Sequence, residues 1–387
     1  MQANASFNDF HDEIKPTVEQ RAEMAESNNE LRARLELDAE TKEVLVDTFV
    51  QGSYRRYTSL KGSAEHKCDV DVVVVTNMPR EAVSARAALE FFRGFLERNY
   101  KGKFEPQGRP WGIQVSKIVK LDLVPTSAPS EANKVLFEAA RRVREQKRSW
   151  SFEEPELADW GDNDYLVESM RAQMKAQAEW RAEPLWIPDR EAISADGREG
   201  RWEETDPLRQ IQWTIQKNGS TSGNYTRIVR CLKWWRRHRV STPKYPKSYP
   251  LEHLIGQACP NGTASIADGV VRALEAVVEK HRGEASTQRT PHYADHGVPS
   301  NNVFARISGA DFSAFYAHVE NAAKLARRAS DAPKGPDLAI WYELFGDPFP
   351  RPPRDDGGRS APLPPAEPRG GYTPREGPSA AIGGRFA

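Results

Sequence analysis

Six residues, Val70-Asp71-Val72-Val73-Val74-Val75, constrain the fold of this chain more than any other stretch. So short and β-branched a run suits a pleated surface and is too brief for an ordinary helix, so it reads as a buried strand. A buried strand needs neighbours. Val44 to Phe49 is apolar and β-branched ahead of the punctuation Gln51-Gly52-Ser53, and a second extended segment runs from Ile113 through Ile118 and Leu121 to Val124. Between Glu81 and Tyr100, Ala85, Leu89, Phe92 and Leu96 recur at helical spacing. Upstream, Phe7, Phe10, Ile14, Val18, Met24, Leu31 and Leu35 predict one or two long helices around Pro16. The order helix, strand, helix, strand predicts a sheet domain of mixed α+β class.

Beyond this domain the character changes. Glu131 to Gly200 is charged and rich in Trp and Glu, with Trp186-Ile187-Pro188-Asp189 read as a return to the sheet domain. After Pro207 apolar residues repeat every three or four positions in Leu208–Gln216, Tyr225–Arg239, Leu251–Cys259, Ile266–His281 and Asp311–Ala329, which predicts a helical lobe. The expected division is residues 1–204 as the sheet domain with an N-terminal bracing helix, 205–346 as the helical lobe, and 347–387 as a tail. The tail holds 10 Pro and 7 Gly in 41 residues, a composition that buries too little apolar surface to fold, so disorder is expected there. No run approaches the roughly 20 apolar residues of a membrane span, and the polar, acidic start lacks a signal peptide's pattern. Cys68, Cys231 and Cys259 are too scattered for a disulfide framework or a Cys-x-x-Cys metal site, so a cytoplasmic protein is expected. With 55 basic and 55 acidic residues the formal charge is zero, which argues against a stable nucleic-acid partner.

Three carboxylates carry the chemistry. Asp69 and Asp71 lie two apart at a strand start, so both point to one face, about 6.6 Å apart along the chain. Asp122 sits within Val119-Lys120-Leu121-Asp122-Leu123-Val124, where a lone buried charge is costly. If the two strands are neighbours the three converge, an arrangement that repels itself unless it shares divalent cations. Two Mg²⁺ ions, or Mn²⁺, suit such an oxygen-only set and serve in-line displacement of pyrophosphate by a hydroxyl, with Asp122 as the base. Gly52 lets backbone approach a phosphate, and Ser53 at a helix start offers hydroxyl and N–H. Singly, a Gly-Ser pair is any loop and an Asp-x-Asp is usually a solvated edge. Jointly they are hard to explain by packing.

The pattern Gly52-Ser53, Asp69-Val70-Asp71, Asp122 resembles that of DNA polymerase β-like nucleotidyltransferases. Arg230-Cys231-Leu232-Lys233-Trp234-Trp235 and Lys247-Ser248-Tyr249-Pro250-Leu251-Glu252-His253 narrow the resemblance to the cGAS/DncV-like nucleotidyltransferases (CD-NTases) of bacterial anti-phage (CBASS) operons. It runs over nearly the whole chain, including Asp295-His296-Gly297-Val298, Leu344-Phe345-Gly346 and the terminal Gly384-Arg385-Phe386-Ala387, and is nearest to clade D.

The resemblance implies a polymerase β-like sheet domain and an oligoadenylate-synthase-like helical lobe, with the active site in the cleft between them. It implies synthesis of a cyclic tri- or dinucleotide, such as cyclic AMP-AMP-GMP, from ATP with GTP. Lys233 and Ser248 would contact the donor triphosphate and Tyr249 would stack on a base, with Gln51 a weaker nucleotide contact. Arg230, Lys233 and Arg237 share one helix face; for Arg237 solvent exposure is the plain expectation. In this family a ubiquitin-activating-like partner can capture the synthase C-terminus, which makes Ala387 a candidate conjugation point. The alternative activity is nucleotidyl transfer to an RNA 3′ end or a small-molecule acceptor.

Overall fold

In a computed structural model the valine run lies at the centre of a five-stranded sheet. The structure describes residues 2–148, 183–189, 200–332 and 337–352; the expected tail from 353 onward, Ala387 included, lies outside them. The strands are β1 (Leu45–Gln51), β2 (Cys68–Thr76), β3 (Phe104–Pro106), β4 (Trp111–Gln114) and β5 (Val119–Pro125), in the order β1-β2-β5-β4-β3. Only the β2–β5 pair is parallel. The segment expected to be one extended stretch from Ile113 to Val124 is two antiparallel strands. Ser116 makes the turn between them, its Oγ accepting from the N–H groups of Ile118 and Val119 at 3.0 Å.

Alternation along β2 divides the sheet into two faces. Val70, Val72 and Val74 face one core, and the helices of this half of the chain are α1 (Gln2–Ile14), α2 (Val18–Leu37), α3 (Thr41–Val44), α4 (Gly52–Arg55) and α5 (Ala85–Asn99). Of these, α2 and α5 cover that face with Met24, Leu31, Leu35, Leu89, Phe92 and Phe95. On the other face Val73 and Val75 pack with Phe49, Leu136 and Phe137, the last two from α6 (Glu131–Arg148). Asp69 and Asp71 share this second face. Trp186 lies in β6 (Leu185–Asp189), which pairs with β7 (Arg201–Thr205) as a separate ribbon and does not rejoin the main sheet.

The second core is helical: α7 (Pro207–Ser220), α8 (Tyr225–Arg239), α9 (Ser248–Ala258), α10 (Ile266–Ser286), α11 (Gly309–Ser330) and α12 (Leu338–Phe345). Ser265 and Ser308 cap α10 and α11 by accepting from the N–H groups of Asp268 and Asp311. The N-terminal helices divide between the cores. Phe7, Phe10 and Ile14 of α1 are fully buried in the helical core, whereas α2, beyond Pro16, serves the sheet. Phe7 meets Trp341 at 4.9 Å and Phe349 at 5.2 Å between ring centroids. Phe349 is 1% exposed, so the packed chain runs past the expected tail boundary at 347. One compact unit extends to Arg351 and contains both cores.

Candidate active site

Between the two cores opens a cleft of about 950 Å³, lined from the sheet by Gln51, Gly52, Ser53, Asp69, Asp71 and Asp122 and from the helices by Lys233, Arg237, Ser248 and Tyr249. The sheet wall follows from register. Asp71 stands opposite Gln51 on β1 and opposite Asp122 on β5, so the parallel β2–β5 pairing sets two carboxylates side by side. Burial, reinforced by the charges of Asp122 and Asp69, pushes the Asp71 carboxyl up to about 7. Asp122 is also buried and raised by desolvation, an effect opposed by Lys120, whose Nζ lies 2.9 Å from Oδ1. Asp69 is exposed at the cleft edge.

Gly52 is required twice over. Its φ of +73° is the left-handed region, and a Cβ there would overlap Asp71 Oδ2. The missing Cβ leaves room for Asp71, and Gly52 also lines the cleft where a phosphate is expected. Ser53 Oγ lies 3.4 Å from Ser59 Oγ.

The helical wall is organised by a residue that sequence reasoning passed over. Glu252 of α9 is 4% exposed and accepts from Lys233 Nζ and Thr58 Oγ1, each at 2.9 Å, and from Arg56 Nε at 3.0 Å. Burial pushes its carboxyl up, but Arg56 and Lys233 overcome this and hold it at about 2. Lys233 also donates to the Thr58 carbonyl at 2.9 Å, so two of its three N–H groups are engaged within the wall. The resemblance implies a triphosphate contact for Lys233; in this structure it lines the cleft while two of its N–H groups belong to this buried network. Arg56 and Thr58 follow β1 and α4, so the network joins the two lobes.

Tyr249 is fixed by Asp295, whose Oδ2 accepts its hydroxyl at 2.6 Å while Gln210 Nε2 and the N–H groups of Gly297 and Val298 donate to the same carboxylate. The Arg56 guanidinium lies 5.0 Å from the Tyr249 ring centroid. Behind the ring, His253 meets Tyr249 edge to face at 4.7 Å and stacks on His296 at 3.8 Å, which stacks on Trp213 at 3.5 Å. His253 is thus a packed core residue, its Nε2 accepting from the His296 N–H. Only proximity in sequence to Ser248 and Tyr249 hinted at Glu252. Nothing in the sequence linked Arg56 to it.

The donor set fits divalent cations: oxygen ligands only, two of them crowded side by side, with a repulsion that Lys120 and Arg56 offset only in part. Among the described residues no three acidic, His or Cys side chains are yet gathered at ligating distance.

This sheet with its paired carboxylates, closed over by a helical lobe, is a nucleotidyltransferase architecture. A model of the Second Messenger Oligonucleotide or Dinucleotide Synthetase domain matches residues 1–155. A cyclic AMP-AMP-GMP synthase of Enterobacter hormaechei subsp. hoffmannii (strain UCI 50) is 39% identical over 385 residues, covering 95% of this chain and 98% of its own. The CD-NTase CdnG of Bradyrhizobium diazoefficiens, solved with GTP, shares the fold with a TM-score of 0.62 at 14% identity, over 89% of this chain and 96% of that one. Vibrio cholerae DncV cyclic AMP-GMP synthase, solved with a linear intermediate, does so at 0.55 and 14%, over 86% and 79%. The chain belongs to the second-messenger oligonucleotide synthetases, the cGAS/DncV-like nucleotidyltransferases, and is an enzyme of cyclic oligonucleotide synthesis.

Proposed function

We propose that this chain joins ATP and GTP into cyclic AMP-AMP-GMP as an anti-phage second messenger, with Asp69, Asp71 and Asp122 as its catalytic carboxylates. The observation that carries the residue assignment is the juxtaposition of Asp71 and Asp122 across a parallel pair, with Gly52 shaped around Asp71. Asp69, Asp71 and Asp122 would hold two Mg²⁺ ions, which supply charge neutralisation for the attacking and leaving oxygens. Asp122 takes the proton of the attacking sugar hydroxyl, its carboxylate form favoured by Lys120. Ser53 and Ser248 offer hydroxyls to the donor phosphates, and Gln51 borders the nucleotide. The Tyr249 ring, held by Asp295, stacks on a base; stacking tolerates either purine, so it suits a product of mixed composition.

The product follows the names of two relatives at 39% identity, the Enterobacter enzyme and a Salmonella paratyphi B chain called a probable cyclic AMP-AMP-GMP nucleotide synthase. Among the described residues no helix is long and apolar enough to cross a membrane. Ala387 remains the proposed point of capture by a ubiquitin-activating-like partner, carried by the resemblance alone. Incubation of the purified chain with Mg²⁺ and labelled ATP, GTP or both, then mass spectrometry of phosphatase-resistant products, tests the activity. The expected result is a cyclic product containing two AMP and one GMP only when both nucleotides are present. A product from ATP alone in equal yield would overturn the assignment of composition.

A further inference from the structure

A single carboxylate holds two side chains of the cleft at once. Asp295 accepts the Tyr249 hydroxyl on Oδ2 and the Gln210 amide on both oxygens, with Nε2 3.0 Å from Oδ1 and 3.2 Å from Oδ2. Burial pushes the Asp295 carboxyl up, but hydrogen bonds from Tyr249, Gln210, Gly297 and Val298 hold it below its ordinary value, so it is ionised and can only accept. This fixes the direction of the Gln210 amide. An ionised carboxylate repels a carbonyl oxygen, so Nε2 faces Asp295 and Oε1 is turned away from it. Gln210 lines the cleft and is partly exposed, and among the described residues its Oε1 accepts no hydrogen bond.

The surroundings keep this unit rigid. Gln210 lies at the start of α7, where its N–H donates to the Asp206 carbonyl at 3.1 Å. A Cβ at Gly297 would lie 2.5 Å from that same carbonyl oxygen, so glycine lets the Asp295 loop sit against the helix start. His296, stacked between His253 and Trp213, holds the loop from its other side, and a Cβ at Gly256 would lie 2.5 Å from the Trp213 ring. A base stacked on Tyr249 presents an edge, and Gln210, tied to the same carboxylate as the Tyr249 hydroxyl, is placed to meet it. Adenine carries a donor amine at N6 and guanine one at N2. We propose that Gln210 Oε1 accepts from the exocyclic amine of the purine stacked on Tyr249, which makes Gln210 a specificity-determining residue. The assignment rests on the synthase reading above, including the stacking role of Tyr249. Stacking tolerates any ring, whereas a fixed acceptor disfavours a ring that leaves it unpaired.

The test measures calorimetric affinity of the full-length chain, wild type and Gln210→Met, for the Mg²⁺ complexes of four α,β-methylene nucleoside triphosphates. Two carry the amine, those of adenosine and guanosine. Their counterparts, purine riboside and inosine, lack the N6 and the N2 amine respectively. Wild type should prefer an amine-bearing nucleotide over its counterpart by about 10-fold, a gap in the first pair identifying adenine N6 and a gap in the second guanine N2. Gln210→Met should close the gap by weakening the amine-bearing nucleotide alone. A merely structural role for Gln210 would weaken both members of a pair equally and keep the gap. That result, or a wild-type chain with no gap in either pair, overturns the proposal, while cyclic product formed from ATP and GTP by the wild-type chain keeps the synthase reading. A wild-type chain that binds none of the four and forms no product overturns both.

Discussion

Two carboxylates line the same cleft, Glu252 buried and Asp71 half-buried, and they are treated in opposite ways. Glu252 is surrounded by Arg56, Lys233 and Thr58 and stays ionised down to about pH 2. Asp71 stands beside Asp122 and Asp69 and is pushed up to about 7. Desolvation raises both carboxyls, so it does not account for their opposite shifts; the sign of the neighbouring charge does. A carboxylate that the fold neutralises is part of the scaffold. One that the fold leaves crowded by its own kind is what the proposed metal site requires.

The comparison can be broken most sharply by neutralising each carboxylate in turn. Asp71→Asn should reduce nucleotide incorporation to background in the mass-spectrometric assay, while the chain remains folded by circular dichroism. Glu252→Gln should instead act on the fold, because it leaves Arg56 and Lys233 buried without their counter-charge. A loss on the order of 3–5 kcal/mol, read from urea unfolding, is expected for breaking a buried network this way.

Metal-free stability should then respond to pH with opposite signs. For Glu252 the folded value lies below the ordinary 4.5, so its contribution is present above that pH and is lost as pH falls toward about 2. For Asp71 the folded value lies above 3.8, so the site increasingly opposes folding as pH rises from about 4 to 7. Metal-free Asp71→Asn should therefore melt higher than wild type at pH 7.5, with the difference closing near pH 4; equal melting at both would remove the crowding argument. The smallest effect is expected from Lys120→Met. Loss of the cation that lowers the Asp122 carboxyl should move the acidic limb of the kcat/KM profile to higher pH, and an unmoved limb would show that Lys120 does not tune Asp122.

How far these features were legible from the residues varies with what determines each one. The valine run of β2 and the full extent of α8, Tyr225–Arg239, follow from local pattern, since period and β-branching are written in adjacent positions. The facing of Asp71 and Asp122 was conditional on strand pairing, which no local signal specifies. Strand β3 is three residues ending in Pro106, too short to show a period. Phe349 was lost among prolines, although its burial depends on Phe7 and Phe10, more than 300 residues away in sequence. Glu252 was hidden by its own helix. Its partners come from Arg56, Thr58 and Lys233, and only folding brings those together.

The collision waiting at Gly52 has a genetic consequence. Glycine has no smaller substitute, so every missense change at codon 52 drives a side chain against Asp71 in a backbone conformation other residues resist. The obvious second-site relief, trimming residue 71, deletes the carboxylate the turn exists to accommodate. Inactivating alleles at this codon should therefore revert only to glycine, and a selection for intragenic suppressors should return the original residue and little else.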